Sequence, residues 1–191
     1  MNILEAYIKK YGHLIILILG LPCSNKSEIA KELGIDLNLP IININDYLIK
    51  DKYKEITIKD FKFKIYEDPD NYDWDKLNDD VNKSQSTGLI IYGNYIDSNK
   101  IDWDIDFSFF YSMNNNLCKK MLIENKFLEK IADSEEKIKI YWNDIFIPLY
   151  EELKLNLKIK KYYNLKEDST FNESYDNIFD YLMELIQQKI K

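Results

Sequence analysis

The apolar residues of this chain fall into two rhythms, short unbroken runs and helically spaced stripes. Residues 14–19, LIILIL, form an unbroken apolar run rich in β-branched residues and closed by Gly20. Such a run predicts a central strand buried on both faces, as in a parallel sheet. Residues 26–34 carry Ile29, Ala30 and Leu33 on one face and predict a helix stopped by Gly34. Ahead of the first strand, residues 4–11 have weak helical spacing and predict a short lead-in helix. Pro40 introduces a second strand over 41–44, with Asp46 just beyond its carboxyl end. Residues 50–64 mix charge with apolar positions and predict helix and loop. Pro69 marks a turn, and Trp74, Leu77 and Val81 define one face of a helix over 73–83.

TGLIIYGNYI predicts a third strand ended by Gly93, and residues 106–113 a fourth. Helical spacing returns with Leu117, Met121, Phe127, Leu128 and Ile131. A second helical stretch, EEKIKIYWNDIFIPLYEELK, is expected to bend near Pro148. LKIKKYYNL, residues 157–165, is a fifth strand candidate. Tyr175, Ile178, Phe179, Leu182, Leu185 and Ile186 share one face of a closing helix. Strands of buried type alternating with helices predict one α/β domain over 1–191, with a mostly parallel five-stranded sheet flanked by helices. In such sheets ligands bind beyond the carboxyl ends of the strands. Three segments of interest, after Leu19, Ile44 and Ile91, occupy such ends.

Composition narrows the partners. A length of 191 residues suits one domain with a full core. The net charge of −7 argues against a duplex nucleic-acid binder, which needs a basic face. Small phosphorylated ligands need only a few local donors and stay open. Every basic residue counted is lysine, so no guanidinium fork is available for phosphate. Cys23 and Cys118 are the only cysteines, with no metal spacing, and read as reduced thiols of a cytoplasmic protein. The apolar run at 14–19 is too short to span a bilayer, so no membrane is expected. His13, the sole histidine, precedes the first strand and is assigned no chemistry.

The stretch GLPCSNKS, Gly20, Leu21, Pro22, Cys23, Ser24, Asn25, Lys26 and Ser27, carries the candidate chemistry. Its length and its Lys-Ser ending match a phosphate-binding loop, except that Asn25 stands where the pattern has its second glycine. Such a loop converges backbone N–H groups on phosphate, aided by the positive end of the next helix. Lys26 would supply a mobile charge and Ser27 a hydroxyl for Mg²⁺. The replaced glycine serves left-handed backbone, and asparagine is the side chain least penalised there, at about 1 kcal/mol. The competing reading is a tight strand-to-helix turn that happens to contain Lys-Ser. The strand before it and the helix after it favour the phosphate loop. Cys23 is either a reactive thiol near a helix N-terminus or a small filler.

Four segments together resemble the uridine kinase and nicotinamide riboside kinase branch of P-loop kinases: LIILILGLPCSNKSEIAKEL, IININDYL, YEDPDNYDWDKL and YWNDIFIPLYEEL. The third is the most specific, being close to the family's F-D-H-P-D-A-F-D followed by a helix. The resemblance spans almost the whole chain. It implies a three-layer P-loop NTPase-like domain with a lid-like helical segment around 114–140. It also implies ATP and Mg²⁺ as cofactors and phosphoryl transfer to a hydroxyl of a nucleoside or related riboside. Asp46 matches the carboxylate that approaches the acceptor hydroxyl and, with Ser27, helps hold Mg²⁺; a turn or cap aspartate is the alternative. Glu67 matches the substrate-binding aspartate that receives ribose hydroxyls; a solvated loop acid is the alternative. Lys119 and Lys120 lie where the family has lid arginines, or else they are a solvated helix face. Asp70 and Asp73 read as turn and helix-cap residues. Tyr141, Trp142, Tyr150 and Trp74 can stack on a base but read better as core.

Three departures mark this chain off from that family: Asn25, lysine in place of lid arginine, and Tyr92. Tyr92 stands where these kinases often have a glutamate at the third strand's end, and is placed among the substrate-facing residues. These departures keep a second expectation open, a nucleotide-binding module without appreciable catalysis.

Overall fold

β1 (Ile15–Gly20) is the centre of the molecule, and all six of its residues are buried. A strand with no polar position must be covered on both sides, and it is. Ile15, Leu17 and Leu19 face one core, packed with Leu77, Val81, Phe63, Tyr141 and Trp142. Ile16 and Ile18 face the other, packed with Tyr7, Ile29, Leu33, Ile178 and Leu182. Fully burying an aliphatic side chain stabilises by about 1.5–3 kcal/mol, so this strand anchors both layers. The computed structural model describes residues 2–65, 68–111, 114–124, 134–155 and 170–191.

β1 is flanked by β5 (Leu89–Gly93) and β6 (Phe107–Tyr111), and β2 (Ile41–Asn43) pairs outside β5. The order is β2-β5-β1-β6, and every pairing is parallel. Leu19 lies opposite Gly93 and Gly20 opposite Tyr111, so the carboxyl ends of these strands share one edge. On one side lie α1 (Ile3–Tyr11), α2 (Lys26–Leu37) and the closing α7 (Phe171–Ile190). On the other lie α3 (Trp74–Ser84), α4 (Asn115–Glu124), α5 (Glu135–Ile140) and α6 (Ile147–Leu155). This is the α/β arrangement with a parallel sheet that the buried strands predicted, in the three layers that the resemblance implied.

Several expectations need correction. Residues 50–64 are not helix and loop. They form an antiparallel hairpin, β3 (Lys54–Ile58) and β4 (Phe61–Ile65). Its two-residue turn, Lys59 and Asp60, has both φ angles positive, at 49° and 67°, the geometry of a tight hairpin turn. Ile56 and Ile58, then Phe61, Phe63 and Ile65, alternate at period two, a rhythm masked by the lysines between them. Phe63 reaches the core at 1% exposure. The parallel sheet has four strands among the described residues rather than five; the candidate at 157–165 lies outside them.

α2 also runs past Gly34 to Leu37, and Asn38 supplies the left-handed stop at φ 52°. Gly34 instead allows close packing, since a Cβ there would sit 3.1 Å from the Leu39 carbonyl oxygen. On α4 the buried residues are Cys118 and Leu122, whereas Leu117 is 43% exposed. Phe127, Leu128 and Ile131 lie outside the described residues. The irregularity near Pro148 precedes it: a π-helical stretch, Tyr141–Phe146, joins α5 to α6. The wider turn gives room to a proline ring whose missing N–H would otherwise break an α-helical ladder. Tyr141, Trp142, Tyr150 and Trp74 are all buried, as core residues should be.

Candidate functional site

The loop after β1 folds as an anion cradle requires. Gly20 admits no side chain: a Cβ would meet the Tyr111 carbonyl oxygen at 2.7 Å and Ser24 Oγ at 2.9 Å. Asn25 adopts left-handed backbone at φ 57°, ψ 10°, as its stand-in for glycine required. Cys23 is left-handed as well, at φ 61°, which the sequence reading did not anticipate. Together these two turns curl the chain so that α2 begins at Lys26.

Lys26 is only 7% exposed. Its Nζ donates to the Leu21 carbonyl oxygen at 2.9 Å, inside the curl of the loop. An ammonium has three donors, so two remain for an anion. Burial pulls its pKa down to about 8, against the opposing influence of Cys118, Cys23 and Glu28. The Ser24 hydroxyl is fully buried and has no hydrogen-bond partner among the described residues. A buried ammonium, an open hydroxyl and a floor that excludes even a methyl group suit an anion. Ser27 Oγ donates to Glu28 Oε2 at 2.7 Å, which holds the Glu28 carboxyl below its usual range.

Asp46 sits on a short 3₁₀ turn, Ile44–Tyr47, directly after β2. Gly93 makes this possible, because a Cβ there would lie 2.9 Å from the Ile44 side chain. Asn43 Nδ2 donates to Asp46 Oδ1 at 3.0 Å, and Asn43 pairs in register with Tyr92 of β5. Burial raises the Tyr92 phenol, and the charges of Asp46 and Glu28 raise it further. The Asp46 turn and Tyr92 thus lie at the same carboxyl edge of the sheet as the loop that starts α2. Tyr47 donates to Asp80 Oδ2 at 3.0 Å; its pKa rises to about 12 through burial, with Asp80 and Asp46 adding to it.

The remaining sequence candidates separate. Lys120 is exposed and lies 3.8 Å from Glu124 one turn on, while Lys119 is half-buried on the same helix. α4 turns Cys118 onto the loop instead: its Sγ donates to the Pro22 carbonyl oxygen at 2.9 Å. Burial lifts that thiol to about 12, so it stays protonated. Sequence reasoning missed Cys118 and Glu28; only the one-residue shift of the α4 face and the adjacency of Glu28 to Ser27 hinted at them. Asp73 caps α3 by accepting from Lys76 N at 3.0 Å, and Asp70 lies in the Pro69–Asn71 turn. His13 lies 3.5 Å from Asp106, whose carboxylate also accepts from Ile15 N and Tyr7 Oη.

Glu67 lies outside the described residues. Its neighbour Asp68 lines a cavity of about 320 Å³ with Lys54, Ile96, Asp97, Leu149 and Glu152. That volume falls at the lower end of small-molecule sites. Among the described residues no three His, Cys, Asp or Glu side chains cluster to hold a metal ion. Magnesium in a nucleotide site takes one or two protein oxygens, with phosphates and water completing its shell, so Ser27 and Asp46 are a donor set of the right kind. No described helix is long and apolar enough to cross a membrane.

A parallel sheet in the order β2-β5-β1-β6, with a phosphate-type loop between β1 and α2, is an α/β fold of the P-loop NTPase-like kind. The similarity to one solved structure agrees with that fold. The chain is similar to YorR from Bacillus subtilis, solved in complex with phosphorylated GDP, at 19% identity and a TM-score of 0.52, over 91% of this chain and 98% of that one. It is also similar to a gluconokinase from Sinorhizobium meliloti 1021, at 9% identity and a TM-score of 0.48, over 94% of each chain. No family model matches the chain, and no curated protein matches it significantly.

Proposed function

We propose that this protein is an ATP-dependent kinase that transfers the γ-phosphoryl group to a hydroxyl of a nucleoside or related riboside. The observation that carries the reading is the cradle itself: left-handed Asn25, and Lys26 held inside the loop with two free donors, on the same sheet edge as Asp46. Backbone N–H groups of the loop bind the phosphates together with the Lys26 ammonium, except at Pro22, which has none, and Ser24, whose N–H donates to the Leu21 carbonyl oxygen at 3.3 Å. Bound Mg²⁺ would neutralise charge on the outer phosphates, with Ser27 and Asp46 as the residues that hold it. Asp46 accepts the proton of the attacking hydroxyl as that oxygen bonds to phosphorus and the bond to the departing ADP oxygen breaks.

The cavity beside Asp68 is where we place the acceptor. Asp68, Asp97 and Glu152 outnumber Lys54 there, so the lining repels an acceptor phosphate and suits a neutral polyol. Glu67 is the residue we assign to the sugar hydroxyls; Tyr92 packs on the α2 side of the sheet and is not among the described residues that line this cavity, so its contact with substrate would be at the phosphate end. Lys119 and Lys120 supply lid charge as point cations. YorR, a protein of the same fold, was solved with phosphorylated GDP, so guanine nucleotides belong in the donor and acceptor panel alongside ATP. Placement in the cytoplasm is our reading of Cys23 and Cys118 as thiols outside any disulfide.

A second reading, a nucleotide-binding module without catalysis, is favoured by Tyr92 at the position of an expected carboxylate. One experiment separates the two. Purified protein is incubated with ATP, Mg²⁺ and a nucleoside panel, with thermal shift and product detection run in parallel, for wild type and Lys26→Ala. Phosphorylated product from wild type alone supports the kinase. Stabilisation by ATP without product supports the binding module. Equal phosphorylation by both proteins ends the proposal.

A further inference from the structure

A serine hydroxyl that ligates a cation must aim a lone pair at it, so its single proton has to be donated elsewhere. In this protein the destination is visible. Ser27 Oγ donates to Glu28 Oε2 at 2.7 Å, although Glu28 is the next residue along the chain. Glu28 occupies the third position of α2, where a side chain can curl back toward the start of the helix. Asn25, at the helix cap, makes no side-chain capping bond that would compete for it. Resident groups that orient metal ligands in this way are worth about 10- to 100-fold in metal affinity.

We infer that Glu28 is the positioning residue of the magnesium site: its carboxylate takes the Ser27 hydroxyl proton and so turns the Ser27 oxygen toward the cation. The inference rests on the nucleotide-binding reading above. Glu28 acts through Ser27 and is not itself a ligand. With β5 ending in Tyr92 and Gly93, that strand end offers no carboxylate for the task, whereas the first turn of α2 does.

The test is a double-mutant cycle read by calorimetric titration of ADP, once with excess Mg²⁺ and once with EDTA. Wild type gains affinity when Mg²⁺ is added. Glu28→Ala loses about 10-fold of that gain and keeps its affinity in EDTA. Glu28→Gln, which still accepts the proton but carries no charge, lies between. In the Ser27→Ala background, Glu28→Ala has no further effect, because its route to the metal is gone. Thermal unfolding in EDTA separates out a plain helix-start contribution, which lowers stability equally with and without Mg²⁺. If Glu28→Ala retains the full Mg²⁺ gain, or adds its whole loss on top of Ser27→Ala, the positioning role is wrong while the nucleotide site stands. If wild type gains nothing from Mg²⁺, or does not bind ADP, the proposed function falls and the role of Glu28 falls with it.

Discussion

The buried ammonium of Lys26 makes an opposed pair of demands that one substitution can expose. Its folded-state pKa of about 8 lies below the ordinary 10.5 because burial disfavours the charge. The native state therefore releases this proton before the unfolded chain does. Between those values the unfolded state binds more protons, so stability rises with pH across the window. At neutral pH the charged form costs about 3 kcal/mol, and that cost disappears by about pH 10.5. Lys26→Met keeps an unbranched side chain of similar length and removes the charge. It also leaves the buried Leu21 carbonyl without its donor, a loss of about 1–3 kcal/mol at every pH.

The two effects nearly cancel near pH 7 and separate at high pH. Urea unfolding of both proteins from about pH 7 to 10.5, in phosphate-free buffer, should show their stability difference swinging by about 3 kcal/mol toward wild type. For a chain of this size that corresponds to roughly 6–12 °C in Tm. Tyr47, lifted to about 12, titrates above the window and is common to both proteins, so it cancels. Saturating nucleotide should flatten the wild-type curve, since a bound phosphate restores the proton. A difference that stays constant with pH would refute the buried-ammonium argument.

Gly20→Ala pushes a methyl group against the Tyr111 carbonyl and Ser24 Oγ, at 2.7 and 2.9 Å. It should cost about 1–3 kcal/mol in thermal unfolding and abolish stabilisation by ATP in the same scan. Asn25→Gly should stay within about 1 kcal/mol of wild type, whereas Asn25→Val, a β-branched residue forced to φ 57°, should lose about 1–3 kcal/mol; equal stabilities of the two variants would remove the backbone explanation for Asn25.

Local chemistry sufficed to read much of this molecule. Residues 14–19 specified a doubly buried strand because nothing polar interrupts them. The dipeptide Lys26-Ser27 marked where α2 begins after the loop, and Asn25 announced its own backbone angle because few other side chains tolerate it. The stripe of Ile178, Leu182 and Ile186 placed α7 against the sheet. These features depend on residues close in sequence, whose spacing the chain displays directly.

Tertiary packing decided the rest. The hairpin of β3 and β4 was hidden because lysines interleave its apolar residues, and because its turn carries Lys59-Asp60 rather than a glycine. Which face of α4 meets the loop is likewise a matter of packing: Cys118 is buried there with its Sγ donating to the Pro22 carbonyl oxygen, while Lys120 stays exposed. The depth of Lys26 and the shared strand-end edge of the loop and the Asp46 turn arise from β1, β2 and β5 lying side by side. Burial and electrostatic neighbourhood are properties of assembled layers, and residues distant in sequence acquire them only when the sheet forms.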